Sequence, residues 1–346
     1  MGKAVALVTG AGGEMGRLLL PELQRRGFDL IALDLHPLPA ELRALCVETA
    51  QLDILDTDRM KELFERHRPQ RIFHLAAILS SNAERDPDRA HRVNVEGTLG
   101  LLDLCRAGDE GPARFLFPSS IAVYGLPDAA TKQAQGTLKE WQWTTPRGIY
   151  GCNKVYCELV GTYRSRREPS RLDFRAIRFP GLISAETLPT GGTTDYAPEM
   201  IHAAAQAKPY TCFVDEASRL PFMTMPDGVE ALLTLADVDA TKLTRHVYNI
   251  KGFSASAGEI RAEVLRHFPE TAIGFDPDPA KQQIVDTWPA DVEDSRARRD
   301  WGLAPRHGLA EAFRDYLVPA LLARYAPVPT GPSGHRGETK DGEGSG

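Results

Sequence analysis

"AVALVTGAGGEMG" (residues 4–16) sets a short apolar run against a cluster of glycines and then a helical pattern. A run of that length ending in glycine reads as a strand buried on both faces, as in a parallel sheet. Gly10, Gly13 and Gly16 follow at GxxGxxG spacing, and "EMGRLLLPELQRRG" (14–27) has the period of a helix that closes on Gly27. Strand, glycine turn and helix in that order leave the first backbone amides of the helix, and its positive dipole end, free to receive a pyrophosphate. The turn places Gly10, Gly13, Glu14, Met15 and Gly16 as candidate cofactor contacts.

Outward from this turn the alternation continues. Strands are read at 29–35, 71–77, 114–120 and 173–179, and helices at 56–69 (capped by Asp56, stopped by Pro69), 88–108 and 150–168. Such alternation implies parallel strands with helices on both faces, a Rossmann doubly wound α/β sheet. After residue 180 the pattern loosens. Helices are read at 227–238 and 257–268, and short strands at 246–250 and 272–275. The expected organisation is a dinucleotide-binding domain over 1–180 and a smaller α/β substrate lobe over 181–326, some of whose segments return to the first domain. A Pro- and Gly-rich tail, 327–346, is expected to be disordered.

The chain has 346 residues, 42% hydrophobic and 25% charged, which suits a large globular α/β protein. A net charge of −6 gives no basic footprint for nucleic acid, and no apolar run approaches the roughly 18 residues of a membrane span. Five cysteines without paired spacing suit a reducing cytosol. Cys152 and Cys157 do not form a CxxC pair, so no metal site is read there.

The second strand ends at Asp34, at the spacing of an acid that accepts bonds from the adenosine ribose hydroxyls. Leu35 follows, and no Arg or Lys comes after in "DLHPLP", which favours NAD over NADP. Asp53 and Ile54 in "LDILD" are placed near the adenine, although an acid at a strand end also serves as plain polar termination. Leu75, Ala76 and Ala77 in "HLAA" are small enough for a dinucleotide to lie across the sheet edge. Asn94 stands mid-helix, where it is a poor helix former. It either bonds strand backbone near the site or occupies an indifferent polar position.

Tyr150 and Lys154 in "YGCNK" lie four apart, on one helical face. A phenol titrates near 10, and a nearby ammonium lowers that by roughly 1–3 units. Tyr150 can then take a proton from a substrate hydroxyl while hydride leaves the same carbon. Ser119 and Ser120 in "PSSIAVYG" (118–125) offer hydroxyls to the reacting oxygen, or a cap to the next turn.

These motifs, in order and spacing, resemble the extended short-chain dehydrogenases and the sugar-nucleotide epimerases and dehydratases. Three later segments, "FRAIRFPGLISAETLPTGGTTDYAPEMIHAAAQ", "RLPFMTMPDGVEALLTL" and "DPAKQQIVDTWPADVEDSRARRDWGL", resemble the L-threonine 3-dehydrogenase branch of that family. The resemblance runs from about residue 4 to 318. It implies Tyr150 as acid/base, Lys154 as its electrostatic partner and Ser120 at the usual Ser or Thr position. It implies Leu182 at a cofactor contact, and Ser80, Thr193 and Thr194 at substrate contacts. Thr193, Thr194 and Asp195 also read as the cap of the next helix. Oxidation of L-threonine by NAD is the activity implied. A sugar-nucleotide 4-epimerase with tightly held NAD is the alternative, and a non-catalytic NAD-binding regulator is a third reading. By the same analogy the partners are a small amino acid or hydroxy acid (a sugar nucleotide in the alternative) and a second copy, packed through helices 88–108 and 150–168. Gly148, Thr190 and Thr224 depart from the family's commonest residues, and Trp141 and Trp143 are not typical of it; these two either line a pocket or pack a lid.

Overall fold

The computed structural model describes residues 3–107, 111–188 and 192–326. The tail read as disordered, and Thr190, lie outside the described residues. Among them, the main sheet has seven strands: β1 (Val5–Thr9), β2 (Asp29–Asp34), β3 (Glu48–Gln51), β4 (Arg71–His74), β5 (Ala113–Ser120), β6 (Leu172–Phe179) and β7 (Val247–Asn249). Their order is β7-β6-β5-β4-β1-β2-β3, and every pairing is parallel. Order reverses between β1 and β4, which opens a crevice at the carboxyl ends of those strands.

β1 and β2 are apolar along their buried length because helices cover both faces of the sheet. Along β1, Ala6 and Val8 enter one core, with Leu19, Leu20 and Leu23 of α1 (Glu14–Arg25). Leu7 enters the other, with Leu101 and Leu102 of α3 (Gly97–Ala107). Between them in sequence lies α2 (Thr57–His67), whose N-cap Asp56 accepts the Arg59 amide at 3.2 Å. α4 (Ile149–Arg167) packs on β5 and β6.

Three features differ from expectation. β3 is an edge strand of sequence "ETAQ", only partly buried, and has no apolar run to betray it. β4 stops at His74 rather than 77, because the chain leaves the sheet to cross over Gly10. The helix read at 88–108 begins at Pro87 and contains a π-helical turn, Arg92–Glu96, which carries Asn94. Such turns re-aim a side chain out of the regular ladder.

Beyond residue 180, a three-stranded sheet (Gly181–Ile183, Arg219–Thr224, Phe253–Ser256) and helices including Tyr196–Ala205 and Ala257–His267 enclose a third core. β7 and helix α5 (Met225–Asp237) return to the main sheet, where Val229 and Leu232 pack with Phe179.

Candidate active site

Gly10 holds φ at +66°, a region costly to residues with a Cβ, and a Cβ there would lie 2.6 Å from the Ala76 amide nitrogen. A Cβ on Gly16 would run into the Ala11 carbonyl. The turn is therefore as tight as glycine permits, and α1 starts immediately after it. Asp34 braces the turn from β2. Its Oδ2 accepts the Gly12 amide at 2.9 Å, and Oδ1 accepts the His36 amide at 2.9 Å. An ionised carboxylate has about four acceptor sites, so capacity remains for a ligand.

A groove runs along the carboxyl edge of the sheet, with Gly10, Gly13, Leu75 and Ala77 at its middle. One end, of about 590 Å³, is lined by Asp34, Leu35, Asp53, Ile54 and Ala76. The other, of about 330 Å³, is lined by Glu14, Met15, Gly16, Leu182 and the reacting residues below. Asn94 stands behind this groove. It is buried, its Oδ1 accepts the Ile78 amide at 2.8 Å, and its Nδ2 donates to the Ile78 carbonyl at 3.0 Å. It ties down the segment that forms one wall.

Tyr150, Lys154 and Ser120 all line the smaller end. Tyr150 and Lys154 project from successive turns of α4. Lys154 is buried, donates from Nζ to the Pro118 carbonyl at 2.6 Å, and lies 5.6 Å from the centre of the Tyr150 ring. Burial pulls its pKa down to about 8, and the Tyr150 phenol is pushed up, also by burial. In the chain alone the Tyr150 direction is set by burial, and the ammonium is committed to the Pro118 carbonyl. Ser120 Oγ accepts the Ala122 amide at 3.1 Å, which leaves its own proton to donate.

Ser119 also lines the smaller end. Adjacent residues of a strand point to opposite faces. Its hydroxyl is committed to Glu158, donating to Oε1 at 2.5 Å. Ser80 and Thr193 are both buried, with hydroxyls 3.2 Å apart, and Thr194 lies beside them on the groove wall. Asp195 stands just before helix Tyr196–Ala205, and its Oδ2 accepts the Gly192 amide at 2.6 Å. The groove thus brings together hydroxyls from segments more than 100 residues apart.

Sequence reading missed Trp288 and Met225, which also line the smaller end. An aromatic residue before a proline, at the end of helix Pro279–Thr287, was the available signal for Trp288. Trp141 and Trp143 do not line the groove. Trp141 is half exposed beneath the Arg296 guanidinium, 4.3 Å away, and Trp143 packs against the third core. Thr224 is buried and caps α5, accepting the Asp227 amide at 3.4 Å. Gly148 is the N-cap of α4.

The model of the NAD dependent epimerase/dehydratase family matches residues 6–250. The chain is 36% identical over 297 residues to the mitochondrial L-threonine 3-dehydrogenase of Bos taurus, covering 86% of this chain and 77% of that protein. Its fold is similar to L-threonine 3-dehydrogenase from Trypanosoma brucei, with TM-score 0.83 and 35% identity over 92% of this chain and 98% of the other. A monomeric L-threonine 3-dehydrogenase from a metagenome database aligns with TM-score 0.83 and 33% identity, over 92% of this chain and 99% of the other.

Proposed function

The chain belongs to the NAD dependent epimerase/dehydratase family, and on that footing we propose that it oxidises L-threonine at the 3-hydroxyl to 2-amino-3-oxobutanoate. The observation that carries this is the meeting of Tyr150, Lys154 and Ser120 with the Ser80–Thr193–Thr194 hydroxyls at one end of a glycine-floored groove. The residues fit NAD. Where the Ala76 backbone crosses Gly10, the middle of the groove is lined by Gly10, Gly13 and the apolar Leu75 and Ala77, and the carboxylate of Asp34 stands at the opposite end from Tyr150. NAD, when bound, supplies the acceptor for the hydride.

The chain's own residues do the rest. Asp34 accepts from ribose hydroxyls and repels an added phosphate. Ser120 donates to the substrate oxygen. Tyr150 takes the hydroxyl proton, and the Lys154 ammonium stabilises the phenolate that the buried site otherwise disfavours. Thr193, Thr194 and Ser80 hold the amino-acid head group with neutral donors. Residues 1–180 supply most of the cofactor groove, and 181–326 supply the opposing wall. The expected setting is the cytosol, in keeping with five unpaired cysteines, and among the described residues no helix is long and apolar enough to cross a membrane. A homodimer through α4 is supported by the exposed Tyr156, Leu159 and Tyr163 on that helix.

The test is incubation with NAD and L-threonine, read by the near-ultraviolet absorbance of reduced nicotinamide. Net reduction supports a dehydrogenase. No reduction with threonine, together with interconversion of UDP-sugars, would make the protein an epimerase. NAD binding without either reaction would make it a regulator.

A further inference from the structure

The first turn of α4 carries Tyr150, and its cap is unusual. The first amides of a helix have no partner within it, and a Ser, Thr, Asp or Asn at the N-cap ordinarily supplies one. Here the N-cap is Gly148, which has no side chain to offer. The Ile149 amide instead donates to Oε1 of Glu84, at 2.7 Å, from a different helix, Ser80–Arg85. The carboxylate also sets a negative charge against the positive end of α4.

Gly148 and Glu84 are matched. A Cβ on Gly148 would lie 2.6 Å from Glu84 Oε1, and within 4 Å it would meet only the Glu84 side chain. The backbone of Gly148, at φ −114° and ψ 155°, suits any residue. Glycine is therefore present to admit Glu84, not to relieve backbone strain. A side chain at 148 and the carboxylate of Glu84 compete for one space. Glu84 also lies four residues from Ser80, on the same short helix, and Ser80 faces the groove beside Thr193.

We infer that Glu84 is a positioning residue: it caps the catalytic helix in place of a side chain at 148 and sets Tyr150 against the substrate-side hydroxyl of Ser80. This rests on the reading of Tyr150 as the proton acceptor. A side chain misplaced by even about 1 Å costs heavily in such a reaction, so the cap is felt in turnover before it is felt in cofactor binding. The role is chiefly that of an acceptor, so an amide oxygen at position 84 keeps the cap and loses only the smaller contribution of the charge.

The experiment is a mutant cycle on the full chain with NAD and L-threonine. Glu84→Ala should lower kcat by about fivefold, the scale of a lost cap, while NAD affinity stays within about twofold. Glu84→Gln should stay close to the parent. Gly148→Thr displaces Glu84 but brings its own hydroxyl, so Glu84→Ala made in the Gly148→Thr background should cost nothing further. Hydrogen exchange at the Ile149 amide, independent of activity, should quicken in Glu84→Ala, and in the double variant the Tyr150 or Gly151 amide, the one an N-cap threonine reaches, should be protected instead. Equal losses from Glu84→Ala in both backgrounds, a Glu84→Gln as impaired as Glu84→Ala, or an unchanged Ile149 exchange rate would each overturn the inference. A parent protein inactive on threonine would sink the proposed substrate alone, because the exchange measurements still report the cap.

Discussion

Arg178 grips Glu158 at two points inside the protein, Nε 2.9 Å from Oε1 and Nη2 2.6 Å from Oε2. Glu158 stands one turn beyond Lys154 on α4, and Arg178 lies on β6, so the pair fastens the catalytic helix to the sheet. Remaining valences are met by Ser119 on the carboxylate, and by the Tyr124 hydroxyl at 3.1 Å and the Glu140 carbonyl at 2.7 Å on the guanidinium. Removing one member leaves a buried charge uncompensated. Glu158→Ala should cost about 3–5 kcal/mol in urea denaturation, and adding Arg178→Met should recover part of that. A loss below about 1 kcal/mol for the single change would show that the pair contributes little.

The pH dependence follows from Tyr150 and Lys154 as a coupled pair. With both protonated, Tyr150 has no capacity to accept the substrate proton. The first proton leaves the pair near pH 8, where burial has brought Lys154, and the singly deprotonated pair then includes the form that reacts, with Tyr150 ionised and Lys154 still charged. The rate of threonine oxidation should therefore climb about tenfold per unit below pH 8 and level above it. Tyr150→Phe should abolish turnover and keep NAD affinity nearly intact. A flat profile from pH 6 to about 9, or an active Tyr150→Phe variant, would remove the pair from the mechanism.

His74 should make the fold acid-sensitive. Burial first, and the Lys154 charge second, bring its pKa down to about 3. Thr9 lies 2.8 Å from Nδ1 and Thr98 lies 3.0 Å from Nε2, so both ring nitrogens are engaged. The unfolded chain takes up a proton near pH 6.5, and the folded chain does so only near 3. His74 thus contributes no pH dependence above about 6.5, and as pH falls below that it costs about 1.4 kcal/mol per unit until pH 3. Denaturation at pH 7 and at pH 5 should show a steeper loss in the parent than in His74→Gln. Equal losses would count against it.

Changes at the cofactor end should separate binding from chemistry. Gly10→Ala meets both a positive φ and the Ala76 backbone, so it should weaken NAD binding by more than about tenfold and lower stability by at least about 1 kcal/mol. Asp34→Asn should relax the preference for NAD over NADP, because it removes the charge that repels a phosphate. Calorimetric titration of each variant with both dinucleotides decides this. An Asp34→Asn protein as selective as its parent would place discrimination elsewhere.

Much of this molecule was legible in its residues. The glycine turn and the apolar runs of β1 and β2 announce a parallel sheet, because strands buried on both faces are largely apolar, while β6 buries Arg175 and Arg178 and shows no such run. β3 escaped notice because an edge strand half open to water needs no such run. Trp288 escaped because its side chain joins the groove only after chain segments far apart have packed together. Ser119 and Ser120 are alike in sequence, and only the pleat of β5 commits one hydroxyl's proton to Glu158 and leaves the other hydroxyl's proton free to donate.

The sequence by itself determined the sheet, the dinucleotide turn and the helical spacing of Tyr150 and Lys154, since each is written in local pattern. Tertiary structure alone decided the state of those groups. Burial, a property of the packed whole, raises the Tyr150 phenol and lowers Lys154, and a carboxylate 65 residues away caps their helix. Period and spacing carry no record of which segments meet, or of how much water remains when they do.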